Sequence, residues 1–263
     1  MVIIIFFILQ WYCSIFAQTF LQHRYAAHRA FTMSKFWERF FYVFAFISQG
    51  ATYMSPRAYA IMHRMHHAYA DTPKDPHSPS NHKNLFTMME ATRKMYTKLY
   101  WNDKDIERRF TKDVPDWPWF DSWADSRIAK VIWIAAYIAF YVIFATSPWL
   151  YLLLPISILM NPAHAVIVNW YGHKIGYRNY NLKNTSTNLY PFDFIFIGEA
   201  YHNDHHRYPS NPNMGVKWYE IDTAYYIIWF FSKLGIVKLR DKAFKEEHEK
   251  DLDLAESIVT EKV

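Results

Sequence analysis

The sequence contains a single cysteine, Cys13, among its 263 residues. No internal disulfide can form, so the composition does not indicate an oxidising compartment. Because Cys13 lies within an apolar run, it is most simply a small buried hydrophobic residue. The lack of further thiols argues against iron–sulfur clusters and cysteine-ligated structural zinc as the basis of any metal site.

Nucleotide-binding and nucleic-acid-binding signatures are also missing. The 6 glycines form no G-x-G-x-x-G motif and no segment is left over for a haem module, so no fused electron-transfer domain is expected. The net charge of +5 is mild and no single basic tract stands out, so no nucleic-acid partner is indicated. The chain has no internal repeat.

Apolar residues, in contrast, are abundant. Hydrophobic residues make up 52% of the chain and aromatic residues 20%, above the usual content of a soluble domain. Residues 2–22, 128–147 and 149–170 are long enough to cross a bilayer, and Pro148 between the last two predicts an antiparallel hairpin. The run 36–54 is shorter and predicts an interfacial helix.

The polar regions 68–127 and 174–263 are expected on the cytoplasmic side, together with the basic loops. The stretch "DVPDWPWFDSW" within the first is suited to the headgroup level, and the charged tail from Asp241 suggests a solvated helix or frayed end. The predicted fold is an all-α integral membrane protein, one domain over residues 1–263. Its transmembrane helices would carry a cytoplasmic helical cap with a histidine-rich dimetal site, in the plasma membrane of a bacterium or the endoplasmic reticulum of a eukaryote.

Nine of the 13 histidines are clustered at or just past the ends of apolar runs. In an α-helix, positions i, i+3 and i+4 share a face, so each H-x-x-H-H box directs three imidazoles at one point. His23 and His28 are five residues apart, which predicts that the helix bends or ends between them. The clustered residues are His23, His28, His63, His66, His67, His173, His202, His205 and His206.

Neutral imidazole is the commonest protein metal ligand, and nine imidazoles exceed what one metal ion binds. The sequence therefore predicts two metal ions. Imidazole does not discriminate between iron, zinc, copper and nickel. A metal pair at a membrane surface suits oxygen activation on an apolar substrate, so iron is the expected metal and O2 the co-substrate.

Other polar residues near the boxes have two interpretations each. Glu199, Asp204, Asp75 and His77 could support the ligands by hydrogen bonds or could be ordinary solvated residues. His164 lies inside a span, where it could line a substrate channel or bond a neighbouring helix. The isolated His82 and His248 are expected to have no metal role.

The four motifs "HRYAAHR", "HRMHHAYADTPKDPH", "NWYGH" and "GEAYHNDHHRYP", in this order, resemble the membrane fatty acid desaturase family, specifically its acyl-CoA delta-9 (stearoyl-CoA-like) branch. The resemblance implies a di-iron site that uses O2 and two electrons to remove two hydrogens from a saturated acyl chain. It implies one iron with His23, His28, His63, His66 and His205, and another with His67, His173, His202 and His206, which Asn169 contacts through a water.

The resemblance leaves the acyl carrier open between coenzyme A, acyl carrier protein and intact lipid. Arg93 and Lys94 lie where the family tends to bind substrate phosphates, although a solvated helix face explains them equally well. The family typically has a further span before the first box, whereas here only residues 2–22 precede it. Electrons would come from a separate ferredoxin, or from a b-type cytochrome with its reductase.

Two other functions compete with a desaturase. A di-iron lipid or alkane hydroxylase on the same scaffold would differ only in the fate of the substrate radical. A histidine-rich metal transporter would place ionisable residues along several spans, but here only His164 lies deep within one.

Overall fold

A computed structural model describes residues 1–75, 77–101 and 105–240 of the chain, and the expectations for Asp241 onward and for His248 lie outside them. The chain begins with α1 (Val2–Ala17), which continues without a break as a π-helix, Gln18–Ala27. The helix ends at Ala27, with His28 as its C-cap, which confirms the expectation that it bends or ends between His23 and His28, and its last ten residues have the wider turns of a π-helix.

A short strand and two helices follow. The strand is β1 (Phe31–Met33), and α2 (Lys35–Gln49) covers most of the predicted interfacial segment before a 3-10 turn, Gly50–Thr52. The side chain of Ser34 caps the start of α2 by accepting from the amide of Trp37. Next comes α3 (Pro56–Tyr69), which carries the second histidine box.

The first polar region contains a 3-10 turn, Pro79–Asn81, and three helices: α4 (Leu85–Tyr100), α5 (Arg108–Thr111) and α6 (Pro118–Ala124). The helix α4 begins in a capping box, in which Asn84 and Thr87 bond each other's backbone amides. Helix α6 packs its aromatic face on α2, with the Phe120 ring 6.0 Å from that of Phe46. The polar region thus covers the end of the membrane-spanning helices nearest the histidines.

Two helices of the described residues are long and apolar enough to cross a membrane, Val2–Ala27 and α7 (Arg127–Phe144). The predicted third span is instead a bent pair. One half is the 3-10 segment Pro148–Leu153 with α8 (Leu154–Ile158), and the other is α9 (Met160–Ala165) with the π-helix Val166–Tyr171.

The two halves meet at 78° and form either a broken span or a re-entrant loop. Pro162 explains the break, because its ring collides with the carbonyl of Ile158 and it has no N–H to donate. The bend is tied to its neighbours by Asn161, which accepts from the Ser14 hydroxyl at 2.9 Å and donates to the Thr52 carbonyl at 2.7 Å.

The second polar region is mostly irregular and holds α10 (His202–Arg207), α11 (Thr223–Lys233) and β2 (Val237–Leu239). Strand β2 pairs antiparallel with β1, with Phe31 opposite Leu239. The all-α prediction is therefore correct in its helical character but missed this two-stranded ribbon. The ribbon packs on the main apolar core, where Phe20, Phe31, Phe41 and Phe231 are in contact.

Candidate metal centre

The second histidine box owes its geometry to a regular helix. Ser55 caps α3 by accepting from the amide of Ala58, and Pro56 occupies the first turn, where its missing N–H costs no hydrogen bond. The regular turns that follow place His63 and His67 on one side, with their Nε2 atoms 3.0 Å apart. His66 points to a neighbouring position on the same end of the helix.

The first box depends on the π-helix. The amide of His28 donates to the carbonyl of His23 at 3.0 Å, which is an i to i+5 bond. A π turn therefore brings together two residues that an α-helix would direct to different sides. The two imidazole centroids lie 5.0 Å apart.

The third box lies on α10, a helix of only six residues that is held from outside. The side-chain carbonyl of Asn188 accepts from the Asn203 amide at 2.9 Å, and the Asn203 side chain accepts from the amides of Asn179 and Tyr180. These bonds fix the helix although it is too short to be stable alone. His202 and His206 consequently share a face, with Nε2 atoms 3.1 Å apart.

The nine clustered histidines form two adjacent groups, each with nitrogen atoms within 4.8 Å of one another. The structure corrects the partition that the resemblance implies, because His67 belongs to the first group and His66 to the second. Their side chains point apart on α3, and the π turn brings His28 close to His67. The groups are His23, His28, His63, His67 and His205, and His66, His173, His202 and His206.

The contacts within each group suit a cation. His23 donates from Nδ1 to Glu199, and His173 from Nδ1 towards Asp71, so the Nε2 atom of each carries a lone pair. These Nε2 atoms face the Nε2 atoms of His205 at 2.9 Å and of His202 at 3.0 Å. Ligands at right angles around a metal with bonds of about 2.1 Å are about 3 Å apart, so the spacing fits a shared metal ion.

Burial favours the neutral form, which binds metals, in six of the clustered imidazoles. It lowers the pKa of His63, His67 and His205 well below the ordinary value, and the neighbouring imidazoles lower it further. The same holds for His28, His202 and His206. Metal binding would therefore require no proton to be removed from these residues at neutral pH.

Three carboxylates orient the ligands from behind. Glu199 accepts from His23 at 2.7 Å, Asp75 accepts from His66 at 2.9 Å, and Asp71 lies 3.3 Å from Nδ1 of His173. Although burial acts to raise the pKa of Asp75, its hydrogen bond with His66 keeps that pKa below the usual value. Asp71 was missed in the sequence, although it lies four residues before Asp75 in the same polar turn.

Asp204 and His77 differ in their contacts with the clustered histidines. The Asp204 carboxylate accepts from the amides of Asn179 and Asn188, and it contacts none of the nine imidazoles by a hydrogen bond among the described residues. Burial is the main cause that raises the pKa of Asp204 to about 7, and the nearby Glu220 adds to it. His77 stacks on His66 with centroids 4.3 Å apart but belongs to neither group.

A cavity of about 350 Å³ reaches the first histidine group. Its lining includes His63, His77 and Asn169, the less polar Tyr59, Met62 and Ala165, and the charged Arg93, Asp125 and Lys130. The volume is in the range of a drug-sized ligand. The lining can hold an apolar chain beside the metal site together with a charged group.

The predicted substrate residues separate in the structure. Arg93 lines the cavity and pairs with Glu90 at 2.7 Å. Lys94 lies 3.5 Å from Glu90 and does not line the cavity. His164 is fully buried between the rings of Trp11 and Phe196, away from the lining of the cavity.

Comparison with known proteins gives consistent results. Residues 1–236 match the family model described as fatty acid desaturase. The chain is 29% identical over 238 residues to a "Delta-9 desaturase-like 3 protein" of Arabidopsis thaliana, and the match covers 87% of this chain and 74% of the relative.

Two further relatives have more specific names. The "Delta-9 acyl-lipid desaturase 1" of Arabidopsis thaliana is 27% identical, with 81% of this chain and 67% of the relative covered. The "Acyl-CoA C20 Delta5-desaturase" of Anemone leveillei is also 27% identical, with 85% of this chain and 69% of the relative covered.

Proposed function

Because this chain belongs to the fatty acid desaturase family, we propose that it is an O2-dependent di-iron enzyme that introduces a delta-9 double bond into a saturated acyl chain, most simply an acyl-CoA. The observation that carries the proposal is the cavity lined both by His63, a member of the first histidine group, and by Asn169. We place the site on the cytoplasmic side of the membrane.

The residues of each group have a defined task in this proposal. The nine imidazoles would hold two iron ions, and Asn169, which lines the cavity, would contact the second through a water. When bound, the irons supply the activation of O2 that removes hydrogen from a methylene, which has no acidic proton for a general base. Glu199, Asp75 and Asp71 keep their imidazoles oriented with Nε2 towards the metal.

The cavity would orient the substrate. Tyr59, Met62 and Ala165 give the acyl chain an apolar wall and exclude water from the reacting carbons. Arg93 and Lys130, which pair with Glu90 and Asp125 in this structure, would be the two lining cations for the phosphates of a carrier. The electrons would come from a separate ferredoxin or b-type cytochrome with its reductase.

The first experiment is expression in a host deficient in unsaturated fatty acids, followed by gas chromatography and mass spectrometry of its lipids. A new monounsaturated chain is expected with the natural sequence and not with His202→Ala. His82→Ala, a histidine outside both groups, is the matched control and should give the same product. A chain heavier by one oxygen would contradict the desaturase and identify a hydroxylase.

The carrier is tested with purified protein, an artificial electron source and labelled stearate supplied either as acyl-CoA or as phosphatidylcholine. Conversion of the acyl-CoA before any transfer into lipid supports the proposal. Conversion of the phosphatidylcholine alone would contradict coenzyme A as the carrier without affecting the assignment of the reaction.

A further inference from the structure

The turn formed by residues 191–197, here called the aromatic turn, has apolar side chains on its outer surface. Phe192, Phe194 and Ile195 are 57%, 59% and 51% exposed. Behind them Phe196 and Ile197 are buried against Ile15 of α1. Three large neighbouring apolar side chains directed outward from one turn are unusual for a surface in contact with water.

The one charged side chain of the aromatic turn faces inward. Asp193 is fully buried, and its carboxylate accepts from the backbone amides of Phe196, Gly198 and Ala200 at 2.7 to 3.0 Å. The Tyr201 hydroxyl donates to the carbonyl of Pro191 at 3.3 Å. The polar groups of the turn are therefore hydrogen-bonded within the protein, and its outer surface is apolar. A lipid environment requires this pattern.

The turn lies beside the lipid-facing part of α1. The indole N–H of Trp11 donates to the carbonyl of Ile195 at 3.0 Å. On the same helix Ile8, Leu9 and Tyr12 are exposed, whereas the residues from Ile15 onward are covered by protein. The turn is thus attached at the point where α1 passes from lipid-facing to protein-covered surface.

The depth of this point follows from α7. Phe6 of α1 packs on Phe140 of α7 with ring centroids 4.5 Å apart, and Phe140 is about 20 Å along α7 from Arg127. Trp11 is about 8 Å back from Phe6 towards the histidines. The aromatic turn therefore lies about 12 Å beyond the level of Arg127, within the apolar part of α7.

We propose that the aromatic turn is inserted into the lipid bilayer, with Phe192, Phe194 and Ile195 among the acyl chains next to the headgroups. Interfacial elements typically bury their apolar side to a depth of about 5–10 Å, so a level about 12 Å beyond Arg127 is slightly deeper than this range and lies among the acyl chains. The occupant of this surface is lipid rather than a protein, because the surface continues directly into the exposed face of α1. The inserted turn immediately precedes Glu199 and His202, so the bilayer helps to position the third histidine box.

The surface extends to neighbouring segments. The ring of Phe192 lies 6.3 Å from that of Tyr219, next to the almost fully exposed Trp218. In α11, Trp229 and Phe230 are also exposed, while Phe231 on the opposite side packs on Phe16 of α1. Aromatic residues of this kind are enriched at the membrane interface.

The test uses single cysteines in a Cys13→Ser background, each labelled with bimane, in the full chain reconstituted into phosphatidylcholine vesicles. Phe194→Cys reports on the turn, and Ile195→Cys replaces it if that variant does not fold. Ile132→Cys on the exposed face of α7 is the lipid control, and Lys183→Cys on an exposed polar loop is the water control. The vesicles are made with and without lipid that carries bromine in the upper half of its chains.

We expect the label in the turn to lose as large a fraction of its fluorescence in brominated vesicles as the Ile132 label, and to resist quenching by iodide in the buffer. Quenching by iodide as strong as at Lys183 would overturn the proposal. Protection from both quenchers would also overturn it, since it would show that a second copy of the chain or another protein covers the turn. The measurement needs no metal and no turnover, so it is independent of the proposed desaturase activity.

Discussion

Among single residues, the carboxylates beside the histidines make the sharpest test of the metal centre. Asp75 accepts from His66, whereas the Asp204 carboxylate is turned to the amides of Asn179 and Asn188. Loss of a carboxylate behind a histidine ligand typically lowers metal affinity about 10- to 100-fold. We therefore expect Asp75→Asn to lose iron and Asp204→Asn to retain it, measured as iron per chain after dialysis against a chelator. Equal iron contents in the two variants would contradict the proposed role of Asp75.

A second prediction for a single residue concerns the pH dependence of stability. Burial is the main cause that raises the pKa of Asp121 to about 6, with Asp116 and Asp125 adding to it, against hydrogen bonds from Tyr53 and Ser55. The folded state therefore binds the Asp121 proton more tightly than the unfolded state does. The contribution of Asp121 to the stability of the folded protein increases as the pH falls from about 7 towards 4.

The substitution Asp121→Asn should remove this contribution. The difference in free energy of unfolding between the natural protein and the variant should change by at most about 3 kcal/mol between pH 7 and pH 4, in favour of the natural protein at the lower pH. Chemical unfolding in detergent at several pH values measures it. A difference that does not vary with pH would show that Asp121 is ionised throughout this range.

Some residues of the metal centre could be predicted from the sequence and others could not. The nine clustered histidines and the candidates Glu199 and Asp75 could be identified from spacing and proximity along the chain. Asp204 hydrogen-bonds Asn179 and Asn188 rather than an imidazole, because the direction of a side chain on a short helix depends on the loops that hold the helix. Asp71 could not be ranked above other acidic residues, since its approach to His173 joins segments about 100 residues apart.

At the scale of elements, sequence periodicity predicted the helices but not their local winding. The five-residue spacing of His23 and His28 correctly signalled a departure from an α-helix, and the structure resolves it as a π-helix. The position of the break in the bent pair follows from Pro162, whereas its 78° angle depends on contacts of Asn161 with α1 and with the turn after α2. Such contacts between distant segments leave no periodic signal in the sequence.

A third prediction concerns the packing of the end of α2 against α7. Gly50 ends the helix at a φ of 54°, and a Cβ there would overlap the Tyr137 hydroxyl of α7. Gly235 has a φ of 72° with nothing near its Cβ position, so Gly235→Ala is a control that carries backbone strain alone. Gly50→Ala should be less stable than Gly235→Ala by roughly 1–3 kcal/mol because of the added overlap. Thermal unfolding in detergent measures both, and equal losses would contradict a tight contact between α2 and α7.

At the scale of the whole molecule, the cavity is the feature that the sequence could not predict. Its walls come from the π-helix after α1, the turn after α2, α3, α4 and the second half of the bent pair. These segments are far apart in the chain, and each contributes only one to four lining residues, most of which resemble ordinary core positions. Their convergence follows only from the packing of the spans, so chain length and the position of the double bond depend on the assembled fold.

Filling this cavity is the last prediction, and it separates substrate binding from metal binding. Ala165 lines the cavity, whereas Ala163, two residues earlier in α9, does not. Ala165→Phe should lower the yield of unsaturated product about tenfold or more, because the acyl chain no longer lies in register with the metal site. Ala163→Phe is the matched control and should retain the product. Iron per chain should be unchanged in both variants, and an Ala165→Phe variant with a normal product profile would show that the acyl chain binds elsewhere.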